Sequence, residues 1–464
     1  MKIRNLIVLS FIGLIIGFVS CRDDFDFDPA SDNLSFSNDT VNLDTIFNHT
    51  NSQTYKLTIH NNQDKDVEIP KIYLSRGESS FFKINVDGMG GYEFENIAIR
   101  KKDSILIFIE IAAGEAPVNP SYEDEINFET TNGTQQVKLL SYIEKAKFYI
   151  PPQGQTDVEI TEDQWNNEYS RVIFGNAVIN NGNFTIQGGT KIYFHNEAEL
   201  TVNGTINVNG DINNKVIFRT DRMDERSDSL PNMWGKIKIK SPNNNLENSI
   251  SYAIIKGGNI GLEVENSRLK ISNTKILNND FIGLYAHGTS NITGKNLVIN
   301  NSDVASLAIE GGTYDFRHCT FANYHNIGQG AGQNFSLWLS NENTLNQANF
   351  YNCIFYGRSS NAIQIDVASN YIFKNNVIRN ETGMSFDQSN ITEDPMFLNM
   401  FVNPGFGKND LRLLETEGSS IPGHGDSVYI NGDEILEKDI LGISRTSSPT
   451  PGAYQVLVNP DELE

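Results

Sequence analysis

Five short stretches of this chain combine residue types that hold or cleave sugars with a spacing that would stack them. They are Leu262-Glu263-Val264-Glu265, Leu284-Tyr285-Ala286-His287, Leu307-Ala308-Ile309-Glu310, Leu337-Trp338-Leu339-Ser340 and Ile363-Gln364-Ile365-Asp366. Alternate residues of an extended strand face opposite ways, so the first and third members point into a core and the second and fourth point out. Two outward columns result. One reads Glu263, Tyr285, Ala308, Trp338, Gln364; the other reads Glu265, His287, Glu310, Ser340, Asp366. Tyr285 and Trp338 offer flat apolar faces to the axial C–H groups of a pyranose. With Glu263 and Gln364 they are the candidate ligand-binding residues. Glu265, His287, Glu310 and Asp366 are the types an acid–base set uses, and they are the candidate catalytic residues. An ordinary solvated sheet face carries the same residue types.

These stretches contain no Lys or Arg, so β-elimination on a uronate, which needs a neutralising cation, is disfavoured. A bound glycan is expected to be neutral, or held through calcium. Asp221, Asp224 and Asp228 cluster in one loop and are the candidate metal ligands. Their spacing is not that of an EF-hand, and Arg219, Arg222 and Arg226 are interspersed, which favours a mutually paired surface loop. No other cofactor is called for.

The elements that must position these residues come from an internal repeat. Six segments fit apolar-x-(usually Asn)-x-x-apolar. They are Ile250-Tyr252-Ile255, Ile271-Asn273-Ile276, Gly294-Asn296-Ile299, Phe316-His318-Phe321, Phe350-Asn352-Phe355 and Phe373-Asn375-Ile378. Their last members are 21, 23, 22, 34 and 23 residues apart, and the long step holds a loop insertion over 326–333. One coil of three short strands and three turns needs about that length. Stacked coils rise about 4.8 Å each, so identical positions lie above one another. Asn tolerates a left-handed backbone and can hydrogen-bond to Asn in the next coil. This pattern resembles the asparagine ladder of right-handed parallel β-helices, a family that includes pectate lyases and many bacterial surface proteins. Tyr252 and His318 depart from it and are expected to weaken it locally. The resemblance covers about 175–385 and implies the first-strand face as the place where polysaccharide lyases and hydrolases of this fold put their clefts; with Thr190 to Arg219 continuing the alternation as the first coils, eight or nine coils are expected in a β-helix over 155–390. Cys319 and Cys353 fall in one column and are expected to be buried thiols rather than a disulfide.

Residues 31–148 read as a separate all-β domain. Lys56-Leu57-Thr58-Ile59 and Ile105 to Ile111 alternate with period two, and about seven strands resemble an immunoglobulin-like sandwich. The order Asp394-Pro395, Asn409-Asp410-Leu411, Ile421-Pro422-Gly423 and Pro451-Gly452-Ala453-Tyr454 resembles the closing segment of secreted β-helix proteins. It implies a cap over 391–464.

At the N-terminus, Lys2 and Arg4 precede an apolar run from Leu6 to Phe18 that ends at Phe18-Val19-Ser20-Cys21. The run is too short for a permanent membrane span. It resembles a lipoprotein signal peptide over 1–20, which implies lipidation of Cys21 and a membrane partnership through that anchor. An acidic tether over 21–30 resembles the export signal of surface lipoproteins, so the expected location is the outer membrane of a Gram-negative bacterium, facing outwards.

Composition limits the partners. The 58 acidic against 36 basic side chains give a formal net charge of −22, which repels nucleic acid. Three cysteines exclude a disulfide scaffold. A polysaccharide is the expected soluble partner and a monomer the expected state. Three functions stay open: a surface binding protein, a polysaccharide hydrolase or lyase, and a structural envelope component.

Overall fold

The computed structural model describes residues 27–31, 34–180, 182–242, 245–325, 334–400, 409–445 and 448–456. Cys21, the leader and the 326–333 insertion lie outside the described residues. The chain divides into two compact units, 1–144 and 145–464.

The first unit is a two-sheet β-sandwich. One sheet is built around Val67–Leu74, Ser121–Thr130 and Gly133–Glu144, the other around Tyr55–Asn61, Phe82–Val86 and Ser104–Ile111. Ile59, Ile69, Phe82, Ile107, Phe128 and Val137 belong to one buried cluster shared by both sheets. The two sheets hold seven and five strands rather than about seven in all. Three pairings are parallel, made by Asp28–Pro29, Thr40–Asn42 and Ile46–Phe47. Such two- and three-residue strands are too short to show a period in sequence.

The second unit is a parallel β-helix. Its three sheets run the length of the stack and are called S1, S2 and S3 here. S1 has ten strands, from Ala146–Tyr149 to Val377–Ile378, every neighbour parallel. S2 runs from Asp157–Glu159 to Ile363–Ile365, and S3 from Gln164–Trp165 to Tyr371–Lys374. The inside is apolar, with Phe316 stacked on Phe350 and Phe350 on Phe373 at centroid distances of 5.7 and 4.8 Å. In the later coils S2 and S3 join through one continuous strand, as in Ala305–Arg317. Gly311 and Gly312 make that corner at φ of 82° and 84°. A Cβ on Gly312 would come within 2.2 Å of the Ser290 carbonyl oxygen, so no side chain fits there.

The asparagine column closes the S3-to-S1 corner. Tyr252, Asn273, Asn296, His318, Asn352 and Asn375 all have left-handed backbones, with φ from 50° to 56°. Asn296 Nδ2 donates to Asn273 Oδ1 at 2.9 Å. His318 interrupts the column as expected, leaving the buried Asn296 Oδ1 without a hydrogen-bond partner among the described residues. It is fully buried, its Nε2 lies 2.9 Å from Asn352 Nδ2, and its Nδ1 accepts from Arg445 Nε at 3.1 Å. The thiols of Cys319 and Cys353 are both buried and form no disulfide.

Arg445 belongs to the C-terminal segment, which does more than cap. Ile391 bridges Val377 of the last S1 strand. The chain then runs back down the asparagine column. Asp426 N–H donates to Asn352 Oδ1 at 2.9 Å, and Lys295 pairs with Asp433. Asn296 Nδ2 donates to the carbonyls of Ile435 and Lys438 at 3.1 and 3.0 Å. After Arg445 the segment returns, and Ala453 N–H donates to Thr320 Oγ1 at 3.0 Å. Its apolar residues Leu411, Leu413, Ile440 and Tyr454 bury the outer side of S1 against Val298, Ala322 and Ile354. The expected cap is therefore also a strap along the flank. An apolar outer S1 face exists only because this strap covers it.

Candidate functional site

The outer face of S2 carries all eight candidate ligand-binding and catalytic residues, in the expected register. Glu263 pairs with Tyr285, Tyr285 with Ala308, Ala308 with Trp338 and Trp338 with Gln364. Glu265 pairs with His287, His287 with Glu310 and Glu310 with Ser340. Asp366 follows Ile365 and donates its N–H to the Leu339 carbonyl at 2.8 Å. The inward partners Leu262, Leu284, Leu307 and Leu337 are fully buried.

One expectation fails. The face does carry lysines, because strand Trp234–Ile239 adds an earlier rung. Lys238 is the register partner of Glu263. Lys236 Nζ lies 2.7 Å from Glu263 and Lys238 Nζ 3.0 Å from it; Lys238 also reaches Glu265 at 2.7 Å, and Lys240 reaches Glu265 at 3.0 Å. His287 Nε2 lies 3.1 Å from Glu263 Oε1. Glu263 is consequently not an open ligand-binding group, since its side chain is only 6% exposed. The signal was present in Ile237-Lys238-Ile239-Lys240, which has the same alternation as the five later stretches.

This rung sets the electrostatics. Burial alone would raise the Glu263 carboxyl, but bonds from His287, Lys236 and Lys238 outweigh it and hold the group well below the usual carboxylate range. Glu265 is likewise held low, with Lys238 and Lys240 overcoming its desolvation. Neither glutamate suits a general acid. Among the described residues, Glu263, Glu265 and His287 form one trio whose ligand atoms lie within 4.8 Å of one another, a metal-like grouping. The three lysines already neutralise those carboxylates, so a cation would have to displace them.

Further along the stack the face turns apolar and aromatic. Ile282, Ala305 and Ala308 are buried on the outside of S2 beneath half-buried Tyr285, Val304, Phe335 and Trp338. Phe281 beside them is 44% exposed. Phe281 and Phe335 lie outside the four-residue alignment and were missed for that reason. Tyr285 stacks on His287 at 4.6 Å, and its hydroxyl donates to Glu310 Oε2 at 2.8 Å. Burial and that carboxylate raise the phenol, so Tyr285 is no ready base. Trp338 Nε1 donates to Asp366 Oδ2 at 2.7 Å, and Gln364 Nε2 donates to Asp366 Oδ1.

A cavity of about 280 Å³ opens at the lysine end of the face, lined by Glu197, Glu199, Trp234, Lys236 and Asn259. Burial raises the Glu199 carboxyl there, against the pull of Lys236. The candidate metal ligands do not converge. Asp221 lies 2.7 Å from His195, Asp224 accepts from Ser227 N–H at 3.0 Å and pairs with Arg222, and Asp228 pairs with Arg219 at 3.0 Å and with Lys256.

No family model matches the chain, and no curated protein does. Among solved structures, a family 123 glycoside hydrolase from Clostridium perfringens is similar at 12% identity, over 27% of this chain and 30% of that one, with a TM-score of 0.20. A protein of unknown function from Porphyromonas gingivalis matches at 11% identity over 29% of this chain and 60% of its own, with a TM-score of 0.18. The VesB protease of Vibrio cholerae matches at 10% identity over 24% of this chain and 31% of that one, with a TM-score of 0.15. The chain covers less than two thirds of each.

Proposed function

We propose that this chain is a non-catalytic binding protein that holds a glycan on the outer face of S2. The observation that carries this reading is the apolar floor of Ile282, Ala305 and Ala308 under the half-buried rings of Tyr285 and Trp338. Such rings give a pyranose two stacking platforms, and Glu310, Gln364 and Asp366 supply hydrogen-bonding rims. Each of the four candidate carboxylates already has a partner: lysines for Glu263 and Glu265, Tyr285 for Glu310, and Trp338 for Asp366. That arrangement suits holding better than proton transfer. A glycan array, paired with a reducing-sugar and unsaturated-product assay, tests it. Binding without turnover is expected, weakened about tenfold by Trp338→Ala. Turnover that Glu310→Gln abolishes would establish the hydrolase or lyase reading instead.

The same proposal places the protein on the cell surface through a lipid on Cys21, supported by the basic and apolar run that ends there and by the acidic residues after it. Metabolic labelling with a fatty acid is expected to mark the protein and to fail in Cys21→Ser. Proteinase added to whole cells is expected to degrade it; full protection would refute the outward orientation.

A further inference from the structure

We infer that the glycan held by this face is a neutral, 1,4-linked hexopyranose chain with diequatorial linkages, laid along the stacking direction of the coils. This rests on the binding role proposed above and names its ligand class. Tyr285 and Trp338 occupy one column with only Ala308 between them. They are therefore two coils apart, about 9.6 Å. Both rings are braced by the same device. The polar atom of each donates to a carboxylate in the adjacent column one coil further on: Tyr285 Oη to Glu310 at 2.8 Å, and Trp338 Nε1 to Asp366 at 2.7 Å. The two rings thus share a column and a brace, two coils apart.

A diequatorial 1,4-linked chain has the matching symmetry. Each sugar advances the chain by about one coil rise and is flipped by about half a turn relative to the last. First and third sugars then present the same C–H face to Tyr285 and Trp338. The middle sugar, turned over, passes above Ala308, which is fully buried beneath Tyr285, Val304, Phe335 and Trp338 and offers it no platform of its own. Chains with α-1,4 linkages coil and β-1,3 chains curve, so neither keeps this repeat. Charge selects within the class. Lys236, Lys238 and Lys240 are engaged by Glu263 and Glu265, which leaves Glu310 and Asp366 as the charges beside the platforms. Those carboxylates disfavour an anionic chain.

Calorimetry on the purified protein with cellohexaose, mannohexaose and chitohexaose, against maltohexaose and laminarihexaose, tests the linkage. At least one of the first three is expected to bind tenfold or more tightly than either of the others. Passing from cellobiose to cellotriose, or the corresponding pair of the preferred sugar, is expected to gain roughly tenfold, because only the trimer spans both platforms. Tyr285→Ala and Trp338→Ala should each erase that gain. Tyr285→Phe, which keeps the ring and loses the brace, should retain part of it and reports on folding. Equal binding of maltohexaose or laminarihexaose, or no gain at the trimer, overturns the linkage and leaves the glycan role standing. Binding of no oligosaccharide at all overturns both.

Discussion

Glu263→Gln should destabilise the β-helix by about 2 kcal/mol at neutral pH. The carboxylate is 6% exposed and is contacted by Lys236, Lys238 and His287. Removing one partner of a fully buried ion pair costs about 3–5 kcal/mol. Here the cost is smaller, because the two lysines are about a quarter exposed and Lys238 keeps Glu265. About 2 kcal/mol in a unit of this size lowers Tm by roughly 4 °C. The depressed native carboxyl fixes the pH dependence. Its contribution is complete above the unfolded value of 4.5 and is lost as pH falls below it, toward the much lower native value. At about 1.4 kcal/mol per pH unit, the variant and the parent should converge near pH 3. All three tryptophans, Trp165, Trp234 and Trp338, lie in the second unit, so fluorescence-detected melting reports on the β-helix alone. A variant melting within 1 °C of the parent at pH 7, or a difference that does not shrink on acidification, would refute the argument that this ion cluster stabilises the fold.

The remaining predictions concern the frame around the face. Gly312→Ala, at φ 84° and a 2.2 Å approach to Ser290, should cost about 2 kcal/mol or more in urea unfolding. Asn296→Ala removes a fully buried amide whose two N–H groups are shared among Asn273 Oδ1 and the strap carbonyls of Ile435 and Lys438, about 2 kcal/mol, and limited proteolysis should then cut the strap first. Burial and the neighbouring Arg445 hold His318 neutral, so the folded state gains stability as pH rises through the unfolded value of 6.5 and loses it as pH falls below. His318→Asn should flatten that slope between pH 6.5 and 5 in melting curves. Burial raises the Cys353 thiol, and native protein should resist a thiol reagent until it unfolds.

Much of the solenoid was legible because its period is strict. Six segments gave the left-handed column residue for residue, and five gave the S2 register from Glu263 to Asp366. Legibility ended where the period lapsed. The lysine rung was overlooked because its coil follows the irregular 221–233 loop, which hides the alignment of Lys238 with Glu263. The strap looked like a cap because it is nearly strandless, and its path is set by side-chain bonds such as Arg445 to His318, which leave no periodic trace. The sandwich was undercounted because strands such as Ile46–Phe47 are two residues long. Whether Glu263 was open or closed depended on the missed lysines.

The strap also changes how the protein should bear load. A bare stack of coils, each touching only its neighbours, can peel from its free end one coil at a time. Here one segment is fastened to Asn375, Asn352, Asn296, His318 and Thr320 in turn, spanning several coils with a single length of chain. A pull from the C-terminal side therefore meets a seam that must open before any coil can be drawn away. Pulled from that end, such a stack should yield in one large step rather than a staircase of small ones.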